Sequence, residues 1–306
     1  MENKRFFWLQ GIGVFILEMA VFIILGVFLQ LRYGLWGVMG SEALILGVAV
    51  VAAIAMGINL WDMLRVKLPK IRQIVGVVIM TISGSILAGG AAYVYLFFFP
   101  DGLQVVDTLQ DITAYESNLA AWLILATLPA ICEEVMHRGL ILYTFVHSGF
   151  KSKWTIIVSM GVLFGLFHLD FSRFFTTAIL GMILTYVAME TGNFLMPVLY
   201  HLINNSLSVF ALSMTDEIIE EGALSAEVIP YVAEEFVGVI LFLSAFALFS
   251  LRLGARLLGP KAYELDEAEA LALKQSRKAS RLYTVLLSVL LIVAGVLMMF
   301  MSDTSW

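Results

Sequence analysis

Charged residues are scarce in this sequence: they make up 14% of its 306 residues, whereas soluble proteins contain about 25%. Hydrophobic residues reach 61%, against about 45–50% in soluble proteins. No long polar block interrupts this pattern, so a separate soluble domain is excluded and a polytopic membrane protein is predicted. The formal net charge of −6 gives no reason to expect nucleic acid as a partner.

Several sequence motifs are also absent, and each absence removes a class of site. Cys132 is the only cysteine, so no intrachain disulfide can form, and we interpret it as a small buried apolar residue. No Gly-x-Ser-x-Gly elbow is present to suggest a serine nucleophile, and no His-Glu-x-x-His signature is present to suggest a zincin. No Ala-x-Ala cleavage site follows the first apolar run, which is therefore interpreted as a membrane helix.

What the chain does contain is a series of apolar runs of membrane-spanning length. Nine such runs occur, at residues 7–31, 42–61, 73–99, 117–147, 154–169, 174–190, 194–213, 231–251 and 282–301. They predict an all-α fold, a polytopic transmembrane bundle of about eight to nine helices. We divide it into N-terminal membrane helices (1–116), a membrane core (117–212), and C-terminal membrane helices with a cytoplasmic connector (213–306). Glu18 interrupts the first run, and we expect it to pack inward.

The distribution of charge between the runs predicts the orientation of the chain. Most of the 18 basic residues fall on one side when the runs alternate: Lys4, Arg5, Arg65, Lys67, Lys70, Arg72, Lys151, Lys153, Arg252, Arg256, Lys261, Lys274, Arg277, Lys278 and Arg281. The opposite loops are acidic, with Asp101, Asp107, Asp111 and Glu116 in one, and Asp216, Glu217, Glu220, Glu221 and Glu227 in another. By the positive-inside rule, the N-terminus of this integral membrane protein is cytoplasmic and the C-terminus lies outside.

The fourth run contains the cluster Glu133-Glu134-Val135-Met136-His137-Arg138. One charge near the centre of a membrane helix costs about 3 kcal/mol, so such residues face a protein interior or a cavity and usually have a function. Glu134 and Arg138 are spaced i,i+4, so they lie on one helix face and are expected to form an ion pair. Glu133 is rotated by about 100° and points elsewhere. The two acids therefore have different predicted roles.

Two later runs contribute further polar residues. Phe164 and His168 are spaced i,i+4 at the end of the fifth run, and His201 and Asn205 have the same spacing in the seventh. A glutamate and a histidine can deprotonate a water, while a second histidine and an amide can stabilise an oxyanion. The same atoms allow an alternative: Glu133, His168 and His201 would suit a catalytic Zn²⁺ with an open fourth position. Straight helices of equal depth would place Glu133 toward the cytoplasm and His168 toward the outside, so the sequence does not define the depth of the site.

The ordered triple Glu133-Glu134-x-x-x-Arg138, Phe164-x-x-x-His168 and His201-x-x-x-Asn205 resembles the motifs of the CAAX-protease and bacteriocin-processing (Abi) family of intramembrane peptidases. The resemblance covers about residues 117–212, which would then be the catalytic core. It implies that Glu133 activates water together with His168, that Arg138 pairs with Glu134, and that His201 and Asn205 stabilise the oxyanion. His137 lies at an open position of the motif, and we interpret it as structural.

The resemblance also implies partners and cofactors. The expected substrate is a peptide or membrane protein, in some relatives a prenylated one, and membrane lipid surrounds the chain. The cofactor is Zn²⁺ in one version of the mechanism, and none in a purely glutamate-dependent version. Two alternatives from other classes stay open: a catalytically idle member that binds a partner or confers immunity, and a proton- or cation-coupled transporter. The transporter has less support, because the polar residues concentrate on three runs.

Overall fold

The computed structural model describes residues 7–99, 118–150, 152–220, 234–259, 281, 283–297 and 299. Within these ranges the backbone forms helices and turns without a β-strand, so the prediction of an all-α fold is confirmed. Five helical stretches are long and apolar enough to cross a membrane: Phe7–Ala55, Ile71–Tyr95, Leu119–Val146, Phe171–Thr191 and Val237–Leu257. Two shorter apolar helices, Lys153–Phe167 and Tyr283–Leu297, accompany them. The chain is an integral membrane protein.

The helices are labelled here in chain order. They are α1 (Phe7–Val21), α2 (Val27–Ala55), α3 (Leu60–Leu64), α4 (Ile71–Phe98), α5 (Asn118–Trp122), α6 (Leu128–Glu134), α7 (Leu142–Val146), α8 (Lys153–Phe167), α9 (Phe171–Thr191), α10 (Leu195–Glu220), α11 (Glu234–Leu257) and α12 (Tyr283–Leu297). Three π-helical turns join neighbours without a break: Phe22–Gly26, Leu123–Thr127 and Val135–Ile141. As a result α5, α6 and α7 form one continuous helix, which we call the motif helix.

The N-terminal 49-residue stretch is a helical hairpin. The chain reverses within α2 at Gly34, whose φ of 56° and ψ of −131° are accessible chiefly to glycine. The two halves then lie close together, because a Cβ on Gly37 would meet the Leu29 carbonyl oxygen at 2.0 Å. Across the same hairpin, Gln30 Nε2 donates a hydrogen bond to Ser41 Oγ at 2.9 Å. This reversal corresponds to the break predicted between the first two apolar runs.

One prediction about the loops was wrong. The acidic segment after Met214 was expected to be a loop, but α10 continues through Asp216 and ends at Glu220. The acidic residues 101, 107, 111, 116, 221 and 227 lie outside the described residues, as do Lys4, Arg5, Lys151 and the connector over 261–280.

Short connections, each with a helix cap, join the motif helix to α8, α8 to α9, and α9 to α10. The Ser152 hydroxyl accepts a hydrogen bond from the Thr155 N–H at the start of α8, and Asp170 caps α9 by accepting one from the Ser172 N–H at 2.8 Å. Gly192, with φ of 54°, ends α9 in the left-handed conformation. Because only three residues separate α8 from α9, His168 is confined to this turn.

Besides a small cluster of Leu35, Ala121 and Ile124, the buried core has two large parts. One part packs the hairpin against the motif helix and α8, and includes Phe15, Ile45, Met136, Leu140 and Met160. The other packs α4, α9, α10 and α11, and includes Val77, Met80, Leu184, Tyr200 and Leu258. Glu18 is fully buried, so the prediction that it packs inward is confirmed.

Several helix ends meet at one end of the bundle. The Trp8 N–H donates to Ser148 Oγ at 2.6 Å, and Gln73 Nε2 donates to the Leu258 carbonyl at 3.1 Å. The Lys67 N–H donates to Asn193 Oδ1 at 3.1 Å. We call this the basic end, because it carries Arg65, Lys67, Lys70, Arg72 and Lys153.

Candidate active site

A charged brace joins the motif helix to α9 and α10. Arg138 Nη1 donates to Glu134 Oε1 at 2.6 Å, and both side chains are almost completely buried. The same carboxylate oxygen accepts a hydrogen bond from His201 Nδ1 at 2.9 Å. Arg138 Nη2 also donates to the Gly181 carbonyl at 3.0 Å, and its guanidinium stacks 4.5 Å from the centre of the Phe164 ring. The expected ion pair is thus present, and it ties three helices together.

Close packing of α8 against α9 makes these contacts possible. A Cβ on Gly181 would lie 2.7 Å from Phe164 Cβ, and one on Gly161 would lie 2.8 Å from the Ala178 carbonyl oxygen. Small residues at helix contacts let the backbones approach in this way. The approach brings the Gly181 carbonyl within reach of Arg138 and places Phe164 under its guanidinium.

Glu133 has a different environment from Glu134. The side chain is 8% exposed and lines a cavity of about 740 Å³. Its Oε2 atom is buried and has no hydrogen-bond partner among the described residues. A buried polar atom in this state requires a partner such as a water or a substrate group. The different roles predicted for the two acids therefore correspond to two different surroundings.

The cavity brings together polar residues from three separate apolar runs. Glu133, His168, His201 and Asn205 all line it, and its remaining wall comes from α4, α9 and further residues of the motif helix and α10. Glu134 and Arg138 do not line it but lie directly behind it, bonded to His201. All six predicted residues therefore belong to one constellation, four at the cavity and two in the brace.

The depth of His168 follows from the short length of α8. The 15 residues of α8 rise about 22 Å from the basic end, while Glu133 lies about 20 Å from the end of α7 at Val146. The sequence left the depth of the site open, because straight helices that each cross the whole membrane would separate the two residues. The two lengths are instead similar. Because the chain turns into α9 at mid-depth, His168 reaches the level of Glu133.

Hydrogen bonds fix the orientation of the polar groups at the cavity. His168 Nδ1 donates to the Phe164 carbonyl at 2.9 Å, because a carbonyl can only accept, and this leaves Nε2 for the cavity. Asn205 Oδ1 accepts from Asn204 Nδ2 at 3.3 Å, and Asn205 Nδ2 donates one proton to the Leu125 carbonyl at 3.4 Å. The second amide proton of Asn205 remains available.

The ligand set predicted for zinc is not assembled in this arrangement. Within the part of the chain that the structure describes, no group of three or more His, Cys, Asp or Glu side chains could hold a metal ion. Glu133, His168 and His201 share a cavity without forming such a group. The zinc alternative therefore has no assembled ligand set among the described residues.

His137 and Cys132 lie apart from this cavity. His137 is fully buried, its Nδ1 donates to the Glu133 carbonyl at 3.0 Å, and its ring packs against Phe15, Phe164 and Phe167. Cys132 is buried as well. These positions agree with the structural interpretation of both residues.

Two charged residues near the site were missed in the sequence. Arg173, in the first turn of α9, is exposed at the cavity and lies within electrostatic reach of Glu133 and His168. It lies between two apolar runs, so hydropathy did not single it out. Glu42 is 5% exposed and interacts electrostatically with Glu133 and Glu18. An acid at the start of the second apolar run was the signal that could have identified it.

Comparison with known proteins supports this constellation. Residues 115–207 match the model of a family described as "Type II CAAX prenyl endopeptidase Rce1-like". The matched segment contains all six predicted site residues, and it confirms the resemblance inferred from the three motifs. No curated protein and no solved structure gives a match. The matched segment forms the motif helix, α8, α9 and the first half of α10, so this part of the chain is similar to the Rce1-like family.

Proposed function

We propose that this protein is an intramembrane endopeptidase that hydrolyses a peptide bond in a membrane-associated or prenylated substrate. One observation carries the proposal: Glu133, His168, His201 and Asn205 line a single cavity, although they come from three separate segments of the chain. The Rce1-like match over the same helices supports the reaction class. The cavity has room for an extended peptide segment beside a water molecule.

In the first step, Glu133 and His168 activate a water molecule. The Glu133 carboxylate accepts a proton from the water as a general base, and it has a buried oxygen without a protein partner for this purpose. The free Nε2 of His168 accepts the second hydrogen bond from the water and orients its lone pair toward the substrate carbonyl. The proton held by Glu133 then passes to the leaving amine as the tetrahedral intermediate collapses.

Asn205 and His201 stabilise the oxyanion of the intermediate. The remaining amide proton of Asn205 donates to the oxyanion, in an orientation fixed by Asn204 and the Leu125 carbonyl. His201 Nδ1 is already bonded to Glu134, so donation from Nε2 requires the doubly protonated ring. The Glu134 carboxylate is placed to hold such a cationic ring, and Arg138 keeps that carboxylate in position.

The cavity opens away from the basic end of the bundle. Its inner residues Leu184 and Tyr200 are fully buried, whereas Arg173, Leu207 and Ser208 at the other extreme are exposed. With the basic end in the cytoplasm, as the positive-inside rule requires, the substrate would enter from the outer half of the membrane. We include this orientation, with a cytoplasmic N-terminus and an external C-terminus, in the proposal.

The orientation has a direct test, because the native cysteine is buried. Single cysteines at Ser208 and at Lys70 are labelled with a membrane-impermeant maleimide in intact cells. We expect Ser208→Cys to react at once and Lys70→Cys to react only after the cells are permeabilised. The reverse pattern would overturn the orientation while leaving the peptidase proposal intact.

The activity is tested with purified full-length protein in detergent and a library of membrane-anchored and prenylated peptides. Cleavage is followed by mass spectrometry for the wild type, Glu133→Gln, His168→Ala and the matched control Glu18→Gln. We expect cleavage by the wild type and the control only. Cleavage that persists in both site variants would overturn the mechanism, and metal analysis with and without a chelator would test the zinc alternative.

A further inference from the structure

Two further cavities lie at the basic end, on the other side of the motif helix from the active-site cavity. One is a polar pocket of about 460 Å³ whose lining includes Arg65, Lys67, Tyr143 and His147. The other is a shallow cleft of about 70 Å³, mainly apolar, between Leu142, Val146, Met189 and Phe194. Arg65, Tyr143 and His147 line both, so the two cavities are adjacent.

The segment that carries the basic residues is not helical, but side-chain contacts hold its backbone in place. Arg65 has φ of 47°, a conformation that costs a non-glycine residue about 1 kcal/mol. It is kept there by hydrogen bonds from its N–H to the Trp61 carbonyl at 2.9 Å and from Nε to the Asp62 carbonyl at 3.2 Å. The buried Asn193 side chain holds Lys67 on both sides, at 3.1 and 2.9 Å. The two cations are therefore presented from a fixed backbone.

Large apolar side chains surround the polar pocket on the outside. Trp61, which lines the pocket, is 79% exposed. Leu68 and Ile71 are 95% and 80% exposed, and each lies next to an exposed basic residue in the sequence. This alternation of basic and apolar residues is typical of a segment that lies at a lipid headgroup region. At that level, the pocket faces the headgroups while the cleft extends toward the hydrocarbon.

We propose that these two cavities form a binding site for one anionic phospholipid. The phosphate lies between Arg65 and Lys67, and Asp62 is the one carboxylate among the described residues that line the pocket. The first methylene groups of an acyl chain enter the cleft, which has about half the volume of a cavity that holds one benzene molecule. The remainder of the chain lies in the bilayer. This site is independent of the peptidase function proposed above.

The position of the cleft links this site to the motif helix. Arg138 and Gly139 form part of the cleft wall, and the Arg138 guanidinium bonds to Glu134 on the other side. A bound acyl chain would therefore pack directly behind the brace that holds His201. The lipid would support the brace without entering the active-site cavity, which none of the polar-pocket residues lines.

The site is tested by native mass spectrometry of the full-length protein, with phosphatidylglycerol and phosphatidylcholine of identical chains as probes. We expect the wild type to retain phosphatidylglycerol preferentially. Arg65→Gln and Lys67→Gln should each lower its occupancy about fivefold, which corresponds to about 1 kcal/mol per charge. Lys70→Gln is the matched control, because it removes the same charge from the same segment outside the pocket. It should leave the occupancy unchanged.

A second arm separates a lipid from a free phosphate ion. Ala188→Leu fills the cleft without altering the polar pocket. It should lower phosphatidylglycerol occupancy, whereas competition by inorganic phosphate should be weak in every variant. Equal retention of phosphatidylcholine, an equal loss in Lys70→Gln, or full displacement by millimolar inorganic phosphate would each overturn the proposal. None of these measurements depends on proteolysis.

Discussion

Among the described residues five acidic side chains are buried, and four of them form two pairs that differ in their partners. Glu18 and Glu42 lie in the N-terminal hairpin at 0% and 5% exposure, and Glu133 and Glu134 lie in the motif helix at 8% and 0%. Glu134 is bonded to Arg138 and His201, and Glu133 faces the cavity. Neither carboxylate oxygen of Glu18 has a hydrogen-bond partner among the described residues.

Burial of an acid does not by itself identify an active site, because both pairs are buried and only one pair has cationic partners and a cavity. An ionised carboxylate without a partner is so costly in an apolar interior that the group becomes neutral instead. Glu18 has no hydrogen-bond partner for either oxygen and Glu42 has none for Oε2 among the described residues, and neither residue lines the active-site cavity, so these surroundings favour a neutral carboxyl. The motif-helix pair has cationic partners and a cavity, which are the features that allow an ionised base to act on a water.

The largest expected effect comes from Glu133→Gln, which removes the base and keeps the shape. We expect kcat to fall by about 10²–10⁴-fold, the usual contribution of a general base. The melting temperature in detergent should stay close to that of the wild type, because no protein hydrogen bond to Oε2 is lost. The same substitution at Glu18 is the control. Equal losses of activity in both variants would remove the distinction between the two pairs.

The next effect concerns the brace. Arg138→Met leaves Glu134 buried with its cationic partner removed, so we expect a loss of about 3–5 kcal/mol in the free energy of unfolding. The double variant Glu134→Gln/Arg138→Met should recover most of that loss, because no uncompensated charge remains. Activity should stay low in both. In the double variant His201 loses its carboxylate partner, and in Arg138→Met that carboxylate loses the residue that holds it in position. Thermal unfolding and peptide cleavage on the same samples measure the two outcomes separately, and an unstable double variant would contradict this account.

A smaller effect is expected for Asn205→Ala, which removes one oxyanion donor. Loss of such a donor lowers kcat by about 10²–10³-fold and has little effect on KM. Asn204→Ala is a useful companion, because Asn204 only orients the Asn205 amide and bonds to Ser85. It should lower kcat less than Asn205→Ala does. A rise in KM with unchanged kcat would instead assign Asn205 to substrate binding.

Much of this comparison was accessible from the sequence. Hydropathy was sufficient to predict the all-α membrane fold, since the segments that cross the membrane must be continuous apolar helices. The spacing of Glu134 and Arg138 was sufficient for their pairing, because i,i+4 neighbours on a helix share one face. The prediction that Glu133 and Glu134 have different roles then followed from the rotation of about 100° between consecutive residues of a helix.

Features that depend on tertiary packing were not accessible. The depth of His168 depends on where α8 begins and how abruptly the chain turns into α9, and hydropathy does not record either. Arg173 reaches the cavity only because α9 starts beside it. Glu42 lies at the start of an apolar run, yet the hairpin reversal at Gly34 brings it into the interior, within electrostatic range of Glu133.

The smallest effect is expected for the two acids of the hairpin. Glu42→Gln and Glu18→Gln each replace a carboxyl with a neutral group of nearly the same shape, so a protonated carboxyl should lose little. We expect kcat/KM within about twofold of the wild type and a change in unfolding free energy of at most about 1 kcal/mol. Glu42 is the more demanding case, because it interacts with Glu133 directly. The kcat of Glu42→Gln would instead fall as far as that of Glu133→Gln if the hairpin took part in proton transfer. A loss of kcat of that size in a folded Glu42→Gln variant would therefore extend the active site to the hairpin.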